Sequence, residues 1–183
     1  MKKAVFFILI AVAVALQINA QKIYTKNGAI SFFSKATLEN ISADNNEVVS
    51  LLDEQTGNLQ FSLLIKSFHF KKSLMEEHFN ENYMESDQYP KALFKGMITD
   101  HAKVNFSVDG NYSVQVSGDL TLHGITHSIA SPGTIHVKAG VISADAKFKI
   151  KPADYKIVIP GIVKDNIAET LDITVSCTYD QKI

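Results

Sequence analysis

Apolar and polar residues alternate along most of this chain, most regularly between Asn111 and Thr126. Tyr112, Val114, Val116, Gly118, Leu120 and Leu122 take turns with Ser113, Gln115, Ser117, Asp119 and Thr121. A period of two marks a strand with one buried face and one wetter face. Lys103 to Val108 alternates as well, and Asp109-Gly110 lies between the two runs, so the pair is predicted to form a hairpin with a tight turn. After Leu122 the pattern breaks at His123-Gly124. That suggests a barrel wall ending at a rim or a bend.

The segment before it reads as a meander of short antiparallel strands. Ile23 to Ser34, Glu39 to Ala43, Glu47 to Leu52 and Leu59 to Ile65 are strand-like, with turns expected at Asp44-Asn45-Asn46 and Thr56-Gly57-Asn58. The period changes after Phe70. Leu74, Met75, His78, Phe79 and Tyr83 recur at helical spacing, predicting one amphipathic helix over Ser73 to Tyr83. Ser73 would cap it, with Glu76 completing a capping box. Strand signals resume at Ala92, Phe94, Gly96 and Ile98. They continue through Ser128 to Val137, interrupted by Pro132-Gly133, and after an Ala139-Gly140 turn through Val141 to Ile150. Lys151 to Gly161, with two prolines, reads as irregular, a short bend follows near Asn166 to Glu169, and Leu171 to Tyr179 closes the chain. About eight strands, one helix and no βαβ alternation predict an all-β fold, a closed antiparallel barrel, since closure removes exposed edges. A barrel of about that size is just wide enough to be filled by side chains or to hold one slender apolar ligand.

Charge narrows the partners. The formal net charge is −1, and the 18 basic residues are all Lys, interspersed with 19 acidic ones. No basic block supports nucleic-acid binding. Without Arg, a phosphate would have to be met by Lys, His, hydroxyls or backbone.

The N-terminus is a separate unit. Lys2 and Lys3 precede a continuous apolar run, Ala4 to Leu16, and Ala20 supplies a small residue before Gln21. This reads as a secretory signal peptide over residues 1–20, cleaved near Ala20-Gln21, and the run is too short for a comfortable membrane span. The expectation is a single domain over residues 21–183, periplasmic or secreted, with no stable membrane insertion after cleavage. Cys177 is the only Cys. It shares parity with Ile173, Val175 and Tyr179, which predicts a buried, unreactive thiol and leaves no intramolecular disulfide.

Two stretches carry a family resemblance. Ser73-Leu74-Met75-Glu76-Glu77-His78-Phe79-Asn80-Glu81-Asn82-Tyr83-Met84 with Tyr89-Pro90 and Phe94, and the later GDLTLHGIT from Gly118 to Thr126, resemble the signatures of the YceI-like family. Asp154-Tyr155 and Ile167 to Ile173 fit its C-terminal part. The likeness runs from about Lys22 onward. It implies a lipocalin-like extended β-barrel with an apolar channel, an isoprenoid lipid as ligand (a polyisoprenoid or an isoprenoid quinone), and no catalytic machinery or cofactor. Many members carry a His soon after the first strand. Ser34-Lys35-Ala36 stands there in this chain, so a head-group role for that His does not transfer.

The candidate channel residues are Phe32, Phe61, Leu63, Phe68, Phe70, Phe79, Phe94, Phe106, Val114, Val116 and Leu122. Parity shows which of them point together, and leaves open whether they enclose space or fill it. Candidates for meeting a polar head group are Lys71, Lys72, His78 and His123, with Lys66, Lys91, Lys95 and the helix N-terminus nearby. His123 also reads as a hydrogen-bonded residue that fixes the bend. His123 and His127 stand four apart, about 13 Å along a strand and too far for one metal ion. No nucleophile elbow, phosphate loop or triad spacing appears, so no catalytic residue is expected. The alternatives are a solid, ligand-free barrel acting as a stress or interaction module, and a small enzyme acting on an isoprenoid lipid. Homodimer formation stays open.

Overall fold

The computed structural model describes residues 22–35, 39–161 and 167–183. The expected signal peptide and its cleavage point lie outside the described residues, as does Ala36.

The strands are β1 (Lys22–Ser34), β2 (Ile41–Asp53), β3 (Asn58–Leu64), β4 (His69–Phe70), β5 (Lys91–Ile98), β6 (Gly110–Leu122), β7 (Ile125–Lys138), β8 (Val141–Ile150), β9 (Leu171–Tyr179) and β10 (Gln181–Lys182). Eight of them close an antiparallel ring in the order β1-β2-β3-β5-β6-β7-β8-β9, with β1 paired to both β2 and β9. The two-residue strands β4 and β10 lie against β2 and β1. A short helix α1 (Ser73–His78) runs on into a π-helical turn (Phe79–Tyr83) at one end of the barrel.

The break at His123-Gly124 is the hairpin turn joining β6 to β7. Leu122 pairs with Ile125, and the two residues between them have φ of 49° and 71°. Positive φ at both positions is the type I′ turn, whose twist matches that of the flanking strands. Gly takes this conformation freely, and His enters it more readily than a branched residue would. Ala139 and Gly140 repeat the device between β7 and β8, with φ of 51° and 78°.

Four local expectations are corrected. First, Lys103–Val108 is no strand. His101–Lys103 forms a 3-10 turn, and the Asn105 side chain accepts the Ser107 N–H at 3.0 Å, a side-chain-closed turn that outcompetes a short alternating run. The hairpin partner of β6 is β7, and Gly110 opens β6 instead of turning the chain. Second, Asp44-Asn45-Asn46 lies inside β2. The β1–β2 register shifts on both sides of Gly28, so the extra residues form a bulge. Asn45 is fully buried there; its amide donates to Leu64 O at 3.0 Å and its oxygen accepts the Glu47 N–H at 2.9 Å. Third, Pro132-Gly133 does not interrupt β7, which pairs with β6 without a break from Ile125 to Val137. Fourth, Ser73 does not cap the helix. The N-cap position is Lys72, without a side-chain cap bond, and Glu76 accepts the Phe70 N–H at 3.0 Å instead of closing a capping box.

Two apolar clusters meet inside the barrel. One, at the helix end, includes Leu63, Ile65, Phe68, Met84, Leu122 and Ile157. The other, at the far end, includes Ile23, Leu52, Ile98, Ile135, Val137 and Tyr179.

Candidate functional site: an apolar cavity in the barrel

The interior is hollow. A cavity of about 180 Å³ extends between the two clusters. Inward residues of every ring strand line it, almost all of them apolar: Val48 of β2, Leu59 and Phe61 of β3, Ile135 of β7, Phe148 of β8 and Val175 of β9 are examples.

Small residues at inward positions are what keep it open. Ala144, Ala146 and Gly133 stand where bulky side chains would reach the centre. Gly96 and Gly118 pair across β5 and β6, and a Cβ built on either would come within 2.6 Å or 2.7 Å of the tip of the Phe94 ring. The two glycines therefore make the floor on which Phe94 lies.

Of the sequence candidates, Phe32, Phe61, Leu63, Phe68 and Phe79 line the cavity, as do Phe94, Val114, Val116 and Leu122. Phe70 does not. It stands behind the wall, with its ring 5.7 Å from Phe32 and 5.0 Å from Phe79. Nor does Phe106, which packs on the far cluster. Phe32, Phe68, Phe70 and Phe79 form an aromatic lid, with Phe32 and Phe79 stacked at 5.7 Å. The π-helical turn aims Phe79 into this group, and such turns are frequent at functional sites. The strands β8 and β9 were expected, but their cavity-lining residues and Ile157 were not among the candidates. The alternation of Ala144, Ala146, Phe148 and Ile150 along β8 carries the signal, because small inward residues leave space.

The polar candidates lie outside the cavity wall. Lys71 and His78 are exposed. Lys72 is paired with Glu39 at 2.6 Å, and Lys66 with Asp87 at 2.6 Å. Helix α1 spans only six residues and has none buried, so it offers no anion site of its own. His123 is buried with both ring nitrogens engaged, Nδ1 at 3.1 Å from Tyr155 O and Nε2 at 2.8 Å from Glu85. Its ring also packs on Tyr89 at 4.4 Å. This is the architectural role: His123 ties the β6–β7 turn to the two loops that flank it. Asp119 accepts the Ser128 hydroxyl at 2.6 Å, away from His123, so the three do not converge. Among the described residues no group of three or more His, Cys, Asp or Glu is placed to hold a metal.

At the far end, off the cavity wall, lies a buried polar pair. The Ser50 and Tyr179 hydroxyls lie 2.9 Å apart, and burial pushes the Tyr179 phenol well above its ordinary range. Beside them burial pushes the Cys177 thiol up to about 11, against hydrogen bonding from Ser50.

A closed antiparallel barrel around an almost wholly apolar cavity is a lipocalin-like architecture. The YceI-like domain model matches residues 13–179, and the chain belongs to that family. Solved structures share the fold. A polyisoprenoid-binding domain from Saccharophagus degradans superposes with a TM-score of 0.75 at 16% identity, covering 88% of this chain and 98% of that one. Burkholderia cenocepacia BcnA gives 0.68 at 16% identity, covering 84% and 96%. A Campylobacter jejuni YceI protein gives 0.55 at 16% identity, covering 82% and 86%. No curated protein sequence matches the chain.

Proposed function

We propose that this protein is a periplasmic or secreted binding protein that holds the tail of a polyisoprenoid or isoprenoid quinone in its barrel, with the signal peptide removed on export. The observation that carries the reading is the hollow interior, lined by phenylalanine and aliphatic side chains and closed by an aromatic lid. Each CH₂-sized group moved from water into such a wall is worth about 0.8 kcal/mol. A long branched tail therefore binds firmly with little polar help, and the head group stays with the exposed residues at the helix end. The polyisoprenoid-binding neighbour of the same fold supports this ligand class. No catalytic step is part of the proposal.

The test is native mass spectrometry of protein recovered from its own host, together with uptake of a purified isoprenoid quinone in solution. A co-purifying isoprenoid, or saturable uptake, is expected. Protein that is always empty and takes up no isoprenoid overturns the reading. Cell fractionation and N-terminal sequencing check the export half: mature protein beginning at Gln21 outside the cytoplasm is expected.

A further inference from the structure

Resting on that reading, we propose that the lipid tail enters sideways, through a seam between β7 and β8, and not by threading past the aromatic lid. The seam originates in one residue. From the Ile125 end of the β6–β7 hairpin, alternation of the ladder turns the backbone groups of the even-numbered β7 residues toward β8. Pro132 is even-numbered and has no N–H to give. The β7–β8 ladder stops beside it, at Gly133 and Ala146. The neighbouring ladders do not stop: β6–β7 continues to Leu122 and Ile125, and β8–β9 to Ile150 and Leu171. Residues 125–132 of β7 and 147–150 of β8 thus face each other without sheet pairing. The Ser131 hydroxyl lies 2.9 Å from Pro132 O on its own strand and 3.3 Å from Lys147 O across the end of the ladder, and shares its one proton between them.

What closes the seam is a strap, not a strand. Pro152–Tyr155 forms a 3-10 turn, and buried Pro152, Tyr155 and Ile157 alternate with exposed neighbours. Pro152 and Ile157 line the cavity directly, beside Ile129 and Phe148 from the two sides of the seam. Two histidines of the β6–β7 hairpin hold the strap by its backbone. His123 Nδ1 lies 3.1 Å from Tyr155 O, and His127 Nε2 lies 2.8 Å from Asp154 O, with the His127 and Tyr155 rings edge to face at 5.2 Å. Lifting the strap opens the cavity wall by releasing these bonds and uncovering Pro152, Tyr155 and Ile157, and it breaks no β-ladder. Threading past the lid would disperse four packed phenylalanines.

The test bridges each route in turn and measures transfer of a short-tailed menaquinone from vesicles to the protein. In a Cys177→Ser background that keeps Pro132, Ala130→Cys/Lys149→Cys places thiols at two exposed positions on the unpaired stretches of β7 and β8, on both sides of the seam. Glu39→Cys/Lys72→Cys places them across the ion pair at the helix end. Each protein is bridged with a short bis-maleimide and compared with itself capped by N-ethylmaleimide, so a folding defect shows in both forms. Bridging the seam is expected to slow loading by an order of magnitude or more, and bridging the helix end to leave it within about twofold, a difference of about 0.4 kcal/mol in barrier. His127→Ala, which frees one tether, is expected to speed loading with equilibrium affinity kept. Loading that ignores the seam bridge, or slows only with the helix-end bridge, overturns the sideways route and leaves the binding reading standing. No uptake by any form overturns both.

Discussion

Gly118 and Gly96 meet so closely across β5 and β6 that a Cβ built on Gly118 would lie 2.4 Å from the Gly96 Cα. Neither φ is in the left-handed region, so the demand is for space and not for conformational freedom. Backbone on one side and the Phe94 ring on the other leave nothing that can swing aside. Gly118→Ala is expected to cost about 1–3 kcal/mol through forced displacement of strand or ring, as overpacking does in other cores. Urea denaturation of the variant checks this. Stability equal to the parent's would mean that the two strands relax freely.

Ala146 faces the cavity from β8, where its methyl leaves room at the centre. Ala146→Leu adds bulk to empty space and not to a packed wall. Stability is expected to stay within about 1 kcal/mol, while isoprenoid uptake weakens about tenfold or more. Titration with an isoprenoid quinone beside a thermal melt separates the two effects. Unchanged uptake would show that the tail does not reach this depth.

Cys177 is 1% exposed, and burial holds its thiol up near 11. The thiolate is the reactive form, so labelling by a disulfide reagent at pH 8 is expected only after unfolding. The sign for stability follows from the same shift. The folded value lies above the ordinary 9.0, so the thiol's contribution is complete below that value and is lost as pH rises toward about 11. Cys177→Ser should flatten the alkaline limb of the stability profile and leave the neutral region to its packing change alone.

Asp53 behaves in the opposite direction. Burial pushes its carboxyl up, but the backbone N–H groups of Thr56 and Gln55, at 3.1 Å and 3.0 Å, outweigh that and hold it below the ordinary 3.8. A folded value below the unfolded one stabilises above the unfolded value, and the stabilisation fades as pH falls through the folded one. Asp53→Ala removes both bonds of the β2–β3 turn. A loss of about 1–2 kcal/mol is expected at pH 7, and less below pH 3, read from denaturation midpoints across that range. A loss that is the same at both pH values would rule out the carboxylate as its source.

The sequence alone determined most of the strands, the period change at the helix, the His123-Gly124 break and the family, because alternation and turn chemistry are local and survive without knowledge of neighbours. Nine of the eleven candidate channel residues line the cavity for the same reason: parity places a side chain inside or outside whatever it meets. Tertiary structure decided the rest. It paired β6 with β7 and not with Lys103–Val108, since pairing depends on which segments come together and Asn105 closes a turn of its own. It kept Phe70 and Phe106 off the cavity wall, since both face apolar surroundings and only geometry tells a wall from its backing. It left the barrel hollow, because a void is a volume summed over every inward residue of the ring, and no stretch of chain carries that sum. His123 shows the division most sharply. As sequence it is a residue that breaks a strand; in the fold its ring holds the loop that covers the gap Pro132 leaves in the wall.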